Sequence, residues 1–439
     1  MGGVALDYEL VVYLNFNKKI LWFNPNFLSV SNCLIKDKSF NFELQDQKKL
    51  MKTENFKLNT ICTHIGEVED KQFKGAISPI YVSTSYAFEH VDEKRYPRYF
   101  NTPNQQALTK KLAALEYAES ALIFGSGMAA ISTTMLAFLK AGDHVVLQKE
   151  LYGGTHNFIV EEFNRFGIHY SFAQGRHVDD FEKAIEANTK VVYLESPSNP
   201  LLTVVDIQAI AEMAKSKGVL SMIDNTFASP VNQNPIKLGV DLVIHSATKY
   251  LGGHSDILAG AVCGSEAHIQ QVHSLAKNLG GTLSDYTVWL LERSIKTLGV
   301  RVKAQNRNAK KLAKYLSKNE AISKVFYPGL STHPDYAIAK KQMKGYGGML
   351  SFELTEDIDV SQFMDALQII KPSMSLAGVE STILSPAQTS HALLTAQERE
   401  AQGINDRVLR FSVGIEDRKD LIADFEQAVA KVRAHQLQA

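Results

Sequence analysis

Short, nearly continuous runs of apolar residues recur along the middle of the chain, separated by longer stretches of mixed polarity. The runs lie at 121–124, 145–147, 191–194, 219–223, 240–244 and 260–263. Runs of this length are typical of strands that are buried on both faces of a sheet. We therefore expect these six runs to form the strands of one large, mostly parallel sheet.

Helical periodicity fills the stretches between the runs. The clearest example begins after Asp206, a residue type that caps helix N-termini, and ends at Gly218, a residue type that terminates helices. Apolar residues stand at 207, 210, 211 and 214, which places them on one face of a helix. Strand–helix–strand repetition of this kind predicts an α/β fold with helices on both faces of the sheet.

The same patterns divide the chain into four predicted parts. Residues 1–50 are rich in Asn, Lys, Phe and Leu without a sustained period, so we expect a poorly ordered extension there. Residues 51–104 form an N-terminal segment, and 105–300 form the large α/β domain. Residues 301–439 are helix-rich with strand-like stretches at 349–353 and 409–413, which predicts a smaller C-terminal α+β domain.

Composition narrows the class of protein. The 439 residues are 45% hydrophobic, and 47 Lys and Arg balance 47 Asp and Glu, so no basic patch predicts a nucleic-acid or membrane partner. The three cysteines, Cys33, Cys62 and Cys263, form no Cys-x-x-Cys pair, so neither a disulfide framework nor a metal site is expected. Neither a long apolar span nor a secretory signal is evident, and we expect a cytoplasmic protein.

Polar, glycine-rich or ionisable segments follow several of the apolar runs. They comprise residues 125–128, 195–200, 224–226 and 246–249. Because ligands of open α/β sheets bind beyond the carboxyl ends of the strands, these segments predict one shared site.

Lys249 and Asp224 suggest the chemistry of that site. A lysine at a strand end can form an imine with an aldehyde cofactor once its pKa is lowered. An aspartate at a neighbouring strand end can hold a pyridinium nitrogen protonated, which keeps the ring an electron acceptor. Taken singly, Lys249 is more typical of a surface lysine, and Asp224 could equally be a capping or turn residue.

A phosphate cradle is predicted at the first of these segments. The backbone at Gly127 and Met128 opens an apolar helix, and N–H groups at such a turn can bind phosphate. Ala130 stands where a dinucleotide-binding motif requires glycine, so that motif is not indicated. Ser246 and Thr248 could add hydroxyl contacts to the same phosphate.

Four further residues, in three segments, carry candidate binding groups. Tyr152 could stack on an aromatic ring, although a core or turn tyrosine is the alternative. Arg410 alternates with apolar residues on a predicted strand and could bind a carboxylate, with a structural ion pair as the alternative. By position alone, Tyr96 and Arg98 belong to a charged aromatic loop.

Together these segments resemble the Cys/Met-metabolism family of fold-type I pyridoxal-phosphate (PLP) enzymes, from about Thr63 to the C-terminus. Residues 246–260 are close to the lysine signature of that family, which is highly specific. The other motifs of the resemblance are Ser126-Gly-Met128, Leu151-Tyr-Gly153, Glu195-Ser-Pro197, Asn199-Pro200, Asp224-Asn-Thr226, Ser375-Leu376 and the run 410–417.

The resemblance implies a fold-type I architecture, with a mostly parallel seven-stranded sheet, and a role for each residue. Lys249 would carry PLP as an imine and move protons, Asp224 would hold the ring nitrogen, and Tyr152 would stack on the ring and handle a proton. Gly127, Met128, Ser246 and Thr248 would bind the phosphate. Arg410 would bind the carboxylate of an amino-acid substrate, helped by Ser375 and Asn199.

The family also implies an oligomer. Tyr96 and Arg98 match a Tyr-x-Arg pair that reaches the phosphate of the neighbouring subunit, so residues 51–104 would contact that subunit. A homotetramer, a dimer of dimers with sites shared between subunits, is the expected assembly.

The resemblance leaves the reaction subtype open. Met374 stands where γ-enzymes specific for cystathionine tend to carry Glu, and Gly154 stands where methionine γ-lyases often carry Cys. We expect C–S bond cleavage or formation by γ-elimination or γ-replacement on sulfur amino acids or homoserine esters. Cystathionine β-lyase and O-acyl-homoserine sulfhydrylase are the nearer alternatives. A fold-type I aminotransferase and a non-catalytic binding protein are more remote.

Overall fold

The computed structural model describes residues 15–16, 19–20, 56–389, 395–401 and 403–437. The chain divides into two units, Met1–Asn55 and Phe56–Ala439. In the first unit, the strands Asn15–Phe16 and Lys19–Ile20 pair antiparallel. The poorly ordered extension expected at 1–50 otherwise lies outside the described residues. Among the described residues, no helix combines the length and the apolar character needed to cross a membrane.

A seven-stranded sheet forms the centre of the second unit, in the order β1-β7-β6-β5-β4-β2-β3. The strands β2 to β6 run parallel, and β7 pairs antiparallel with both β1 and β6. In chain order they are β1 (Ser120–Phe124), β2 (His144–Leu147), β3 (His169–Phe172), β4 (Thr189–Glu195), β5 (Leu220–Asp224), β6 (Leu242–His245) and β7 (Gly260–Gly264). The mostly parallel sheet predicted from the apolar runs is confirmed.

Burial on both faces explains why the runs are continuous. Val145 and Val191 pack into one apolar cluster, whereas their neighbours Val146 and Val192 pack into another on the opposite face. The sequence prediction missed β3, because this edge strand reads His-Tyr-Ser-Phe and no residue of it is fully buried. An edge strand needs fewer apolar residues, so it leaves a weaker pattern.

Four of the helices described before and alongside the seven-stranded sheet begin with a side-chain cap, at Thr102, Ser126, Asp206 and Ser265. Asp206 caps its helix as predicted, since its Oδ1 accepts from the N–H of Ala209 at 3.2 Å. These helices are α1 (Leu58–His64), α2 (Pro103–Glu116), α3 (Gly127–Phe138), α4 (Gly153–Phe158), α5 (Asn164–Phe166), α6 (Val178–Lys183), α7 (Ile207–Ser216), α8 (Ser229–Asn232), α9 (Glu266–Leu279), α10 (Asp285–Ile295) and α11 (Leu298–Leu316). Short 3-10 helices lie at Pro97–Tyr99 and Pro235–Leu238, and a π-helical stretch at Ile159–Phe163 joins α4 to α5.

A second, five-stranded sheet follows in the C-terminal part, in the order β8-β9-β12-β11-β10. Its strands are β8 (Ile322–Phe326), β9 (Met349–Leu354), β10 (Lys371–Pro372), β11 (Thr382–Leu384) and β12 (Val408–Ser412). The remaining helices are α12 (Tyr336–Gln342), α13 (Val360–Ala366), α14 (Ala396–Ala401) and α15 (Arg418–Gln436). The strand-like stretches predicted at 349–353 and 409–413 correspond to β9 and β12.

Candidate active site

A cavity of about 680 Å³ lies where strands of both sheets end. Glu195 and Asp224 are the last residues of β4 and β5, and Ser246 follows β6, so three carboxyl ends of parallel strands contribute. Arg410, on β12 of the second sheet, lines the same cavity. Every predicted site residue lines it except Tyr96 and Arg98: Gly127, Met128, Tyr152, Asn199, Asp224, Ser246, Thr248, Lys249, Ser375 and Arg410.

The Lys249 amine lies in the turn after β6 and donates to Ser375 Oγ at 3.0 Å. Burial and the positive charge of Arg410 lower the pKa of Lys249, the negative charge of Asp224 opposes both, and the net result is a pKa of about 8. A substantial fraction of the amine is therefore neutral near physiological pH, which is the form that can attack an aldehyde or accept a proton.

The Asp224 carboxylate is 6% exposed and faces the same cavity as Lys249. Its Oδ1 accepts from the N–H of Thr226 at 2.9 Å. Burial raises the pKa of Asp224, whereas hydrogen bonds from Thr226 and the nearby charges of His245 and Lys249 lower it. These opposing effects leave an acid that a cationic ring nitrogen would hold ionised.

The start of α3 forms one wall of the cavity. Ser126 caps this helix, with its Oγ accepting from the N–H of Ala129 at 3.0 Å. A Cβ added at Gly127 would lie 2.8 Å from Ser246 Cβ, so this close approach requires glycine. Free N–H groups at a helix start favour an anion, which suits the predicted phosphate.

Thr248 differs from the other predicted phosphate ligands. Its Oγ1 donates to the Ala259 carbonyl at 3.1 Å and accepts from the Ala259 N–H at 3.0 Å. The hydroxyl proton is therefore engaged by backbone in this structure, although Thr248 lines the cavity. Its role toward a phosphate stays a prediction.

The Arg410 guanidinium is 6% exposed and has polar rather than ionic partners. Nη1 donates to Asn199 Oδ1 and Nη2 donates to the Ser375 carbonyl, both at 2.9 Å. No ion pair joins Arg410 to a carboxylate within the part of the chain that the structure describes, and its buried Nε has no hydrogen-bond partner there. Burial lowers the pKa of Arg410 to about 10. A cation held in this way suits an incoming carboxylate.

Tyr152 lies directly before α4 with 46% of its surface exposed. A Cβ added at Gly154 would come within 2.5 Å of Tyr152 Cε1 and 3.2 Å of Met128 Sδ. The tyrosine ring therefore occupies the space that a side chain at 154 would need. This packing accounts for glycine at a position where the sequence departs from the methionine γ-lyase pattern.

Glu195 lines the cavity but received no role from the sequence. It is 4% exposed, and the register of the sheet sets it opposite Asp224. Its carboxylate accepts from the N–H of Tyr152 at 2.7 Å and from the N–H of Asn199 at 3.1 Å. The available signals were its position at the end of an apolar run, in the polar segment 195–200, and its place in the motif Glu195-Ser-Pro197.

Tyr96 and Arg98 lie away from the cavity of their own chain. Arg98 belongs to the 3-10 helix Pro97–Tyr99. Its guanidinium carbon lies 5.6 Å from the centroid of the Tyr96 ring and 5.2 Å from the centroid of the Tyr99 ring. Its Nη1 donates to the Lys277 carbonyl at 2.6 Å. A role at the phosphate of a neighbouring subunit stays a prediction.

The cavity fits the expected cofactor in three respects. Gly127 lets the start of α3 lie directly against Ser246, the buried Asp224 carboxylate faces the cavity, and the Lys249 amine has a lowered pKa. Within the described residues, no group of three or more His, Cys, Asp or Glu side chains is arranged to hold a metal ion. The Lys249 amine and the helix start at Gly127 suit an organic phosphate-bearing cofactor.

Comparison with known proteins identifies related enzymes. The chain is 41% identical over 380 residues to cystathionine gamma-lyase of Bacillus subtilis (strain 168), covering 86% of this chain and all of that protein. It is 41% identical over 378 residues to cystathionine beta-lyase of Lactococcus lactis subsp. cremoris (strain MG1363), covering 85% and 99%. The solved structure of cystathionine gamma-lyase from Lactobacillus plantarum, complexed with L-serine, aligns with a TM-score of 0.83 at 38% identity, covering 86% and 100%.

The family model described as Cys/Met metabolism PLP-dependent enzyme matches residues 59–430, which include the whole cavity. The resemblance seen in the sequence, the fold type and the PLP cofactor are thereby confirmed. The chain belongs to the Cys/Met metabolism PLP-dependent enzyme family and is a PLP-dependent enzyme of sulfur amino-acid metabolism.

Proposed function

We propose that this enzyme is a carbon–sulfur lyase that cleaves cystathionine-like sulfur amino acids by γ-elimination. One observation carries the proposal: Ser375 accepts from the Lys249 amine through its Oγ and from Arg410 through its carbonyl. A substrate whose carboxylate binds Arg410 would thus have its Cα near the Lys249 amine. The names of two similar proteins, the γ-lyases of Bacillus subtilis and Lactobacillus plantarum, favour γ-chemistry.

Separate residues of the chain bind the substrate and hold the cofactor. Arg410 and Asn199 bind and orient the carboxylate of the amino acid. PLP, when bound, supplies an electron-accepting ring that spreads the negative charge formed at Cα. Asp224 holds the ring nitrogen cationic, and Gly127, Met128 and Ser246 hold the phosphate at the start of α3.

Proton transfer falls to Lys249 and Tyr152. The neutral amine of Lys249 would remove the Cα proton, give it up at C4′ of PLP and, neutral again, serve the second deprotonation at Cβ that γ-elimination requires. The exposed phenol of Tyr152 lies on the cavity wall, where it can donate a proton to the departing sulfur. A neutral thiol leaves more readily than a thiolate, so this proton lowers the barrier for C–S cleavage.

Cystathionine β-lyase activity is the second candidate. The Lactococcus lactis β-lyase is as similar to this chain as the γ-lyase of Bacillus subtilis, at 41% identity. β-Elimination uses the same Cα deprotonation but needs no proton loss at Cβ. Replacement on O-acylated homoserine would need the same residues and a thiol nucleophile.

Product analysis with purified holoenzyme separates these reactions. γ-Elimination of cystathionine releases cysteine, 2-oxobutyrate and ammonia, whereas β-elimination releases homocysteine, pyruvate and ammonia. We expect 2-oxobutyrate from cystathionine, and we would assay methionine and O-acylated homoserine in parallel. Pyruvate as the only keto acid from cystathionine would replace the γ-assignment with the β-assignment. The Lys249→Ala variant serves as the control for keto acid formed without the enzyme.

A further inference from the structure

Glu195 is a buried acid at the meeting point of two loops. It ends β4, and its side chain is 4% exposed. An ionised carboxylate in such a place must be compensated by hydrogen bonds or charges, because burial removes its water. The compensation comes from two backbone N–H groups, one in the loop before α4 and one in the loop after β4.

Both of these loops carry a residue that faces the cavity. Glu195 Oε2 accepts from the N–H of Tyr152 at 2.7 Å, and Oε1 accepts from the N–H of Asn199 at 3.1 Å. Asn199 Oδ1 in turn accepts from Arg410 Nη1 at 2.9 Å. A single carboxylate therefore links the tyrosine on one wall of the cavity to the arginine on another.

The chemistry of these contacts calls for a carboxylate. Each oxygen of Glu195 faces an N–H donor, and an ionised carboxylate is an acceptor at both oxygens. A glutamine would present an NH₂ group to one of the two N–H groups, so one loop would lose its hydrogen bond. An aspartate would keep the charge, but its shorter side chain would not reach both donors from the same backbone position.

Charges around Glu195 act in opposite directions. Burial and the negative charge of Asp224, which lies opposite in the sheet register, raise the pKa of Glu195. The two N–H donors and the positive charge of Arg410 lower it, but the raising effects are larger and the pKa of Glu195 lies at about 8. The donors and Arg410 are thus the groups that favour the ionised form, and the link between the two loops rests on the hydrogen bonds that the two oxygens accept.

We propose that Glu195 is a positioning residue that couples the Tyr152 wall of the cavity to the Asn199–Arg410 pair. A carboxylate bound at Arg410 fixes Asn199, Asn199 fixes Glu195, and Glu195 fixes Tyr152 against the cofactor ring. Amino-acid binding and PLP binding therefore strengthen each other. The inference rests on the proposed function only in assigning Arg410 to the substrate carboxylate and Tyr152 to the ring.

The test measures this coupling without turnover. The apparent dissociation constant of PLP is measured by absorbance with and without saturating acetate, which has the carboxylate that Arg410 would bind but no amine that could replace Lys249 on PLP. In the wild-type protein we expect acetate to tighten PLP binding by about five-fold or more, the lower end of typical coupling between sites. In Glu195→Gln and Glu195→Asp we expect that ratio to fall to about one. In separate turnover assays of the same variants, we expect KM to rise by a larger factor than kcat falls.

Glu161→Gln is the matched control, since it makes the same substitution at an exposed carboxylate in the π-helical stretch after α4. It should keep the wild-type ratio. A wild-type ratio in Glu195→Gln would overturn the proposal, and so would a normal ratio in Glu195→Asp, because charge rather than position would then suffice. If the variants change the ratio as expected but the wild-type holoenzyme cleaves no C–S bond, the proposed function is wrong and the coupling through Glu195 stands.

Hydrogen exchange of the wild-type holoenzyme covers the case in which neither variant folds. Acetate should slow amide exchange in the peptides containing Tyr152 and Asn199 together. Slower exchange at Asn199 alone would show that no coupling passes through Glu195.

Discussion

The pKa of Lys249 depends on the burial of its amine and on two charged neighbours, Arg410 and Asp224. Burial and Arg410 lower its pKa to about 8, and Asp224 opposes them. Its hydrogen bond to Ser375 Oγ keeps the amine inside the cavity. The reactivity of this lysine is therefore a property of the cavity, and it can be tested by changing either the lysine or its neighbours.

Replacing Lys249 removes the covalent attachment point for PLP. In Lys249→Ala we expect no protein–cofactor imine absorbance and a fall in turnover of about 10²-fold or more, the usual effect of losing a general acid–base group. Spectra and keto-acid release measure the two effects. Lys140→Ala, at an exposed lysine, should change neither. Persistence of the imine band in Lys249→Ala would assign the attachment to another amine.

The lowered pKa of Lys249 predicts the pH dependence of cofactor loading. Only the neutral amine attacks the aldehyde, so reconstitution of the apoprotein with PLP should accelerate as pH rises and level off above about 8. Stopped-flow absorbance measures this rate. Arg410→Gln removes a charge that lowers the pKa, so its midpoint should move to higher pH.

Arg418→Gln, at an exposed arginine, is the control and should keep the wild-type midpoint. A rate that keeps rising toward the ordinary lysine pKa of 10.5 would contradict the lowered value.

At the scale of elements, the turn that carries Lys249 is braced by a buried arginine on α11. Arg301 is 4% exposed and donates to the carbonyls of Tyr250 at 2.9 Å and Ser294 at 3.0 Å. Its Nε also donates to Thr297 Oγ1 at 3.2 Å. The arginine thus joins the turn after β6 to the end of α10, and its carbonyl partners have little access to water.

Removing this brace should cost stability. Arg301→Ala leaves buried carbonyls without donors, and each such group costs about 1–3 kcal/mol, so we expect the free energy of unfolding to fall by about 3 kcal/mol or more. Urea denaturation monitored by fluorescence gives this value. Arg293→Ala, at an exposed arginine in the last turn of α10, should stay within about 0.5 kcal/mol of wild type. Equal effects of the two substitutions would show that the bracing contacts contribute little.

At the scale of the whole molecule, the segment between α1 and α2 exposes many apolar side chains. Phe73 is 80% exposed, Phe88 is 68% exposed and Val82 is 66% exposed. Apolar surface of this extent typically marks a protein interface. Together with the position of Tyr96 and Arg98 outside their own cavity, it supports the prediction that this segment contacts a second subunit of a homo-oligomer.

The predicted role of Arg98 at the neighbouring site has a direct test. Arg98→Ala should raise the apparent dissociation constant of PLP by about ten-fold, the effect expected for a lost hydrogen bond to a charged group. Sedimentation velocity should show the same oligomer as wild type. Arg165→Ala, at an exposed arginine paired with Glu162, is the control. An unchanged PLP affinity in the Arg98→Ala oligomer would contradict the cross-subunit role.

Local pattern predicted most of the fold. Continuous apolar runs predicted the buried strands, because a strand covered on both faces has no polar position to interrupt it. The cap at Asp206 predicted the start of α7, because capping depends on neighbours three residues away. The pattern missed β3, which lies at an edge where burial is incomplete.

The sequence by itself determined the main strands of the large sheet, the residues at their ends and the family motifs, because each of these depends only on residues that are close together in the chain. Only the tertiary structure decided that Glu195 contacts the Tyr152 loop and that Ser375 lies between Lys249 and Arg410. Those contacts join residues that lie 43, 126 and 35 positions apart in the chain. Burial and charge at such contacts set the pKa of Lys249, and no local pattern encodes them.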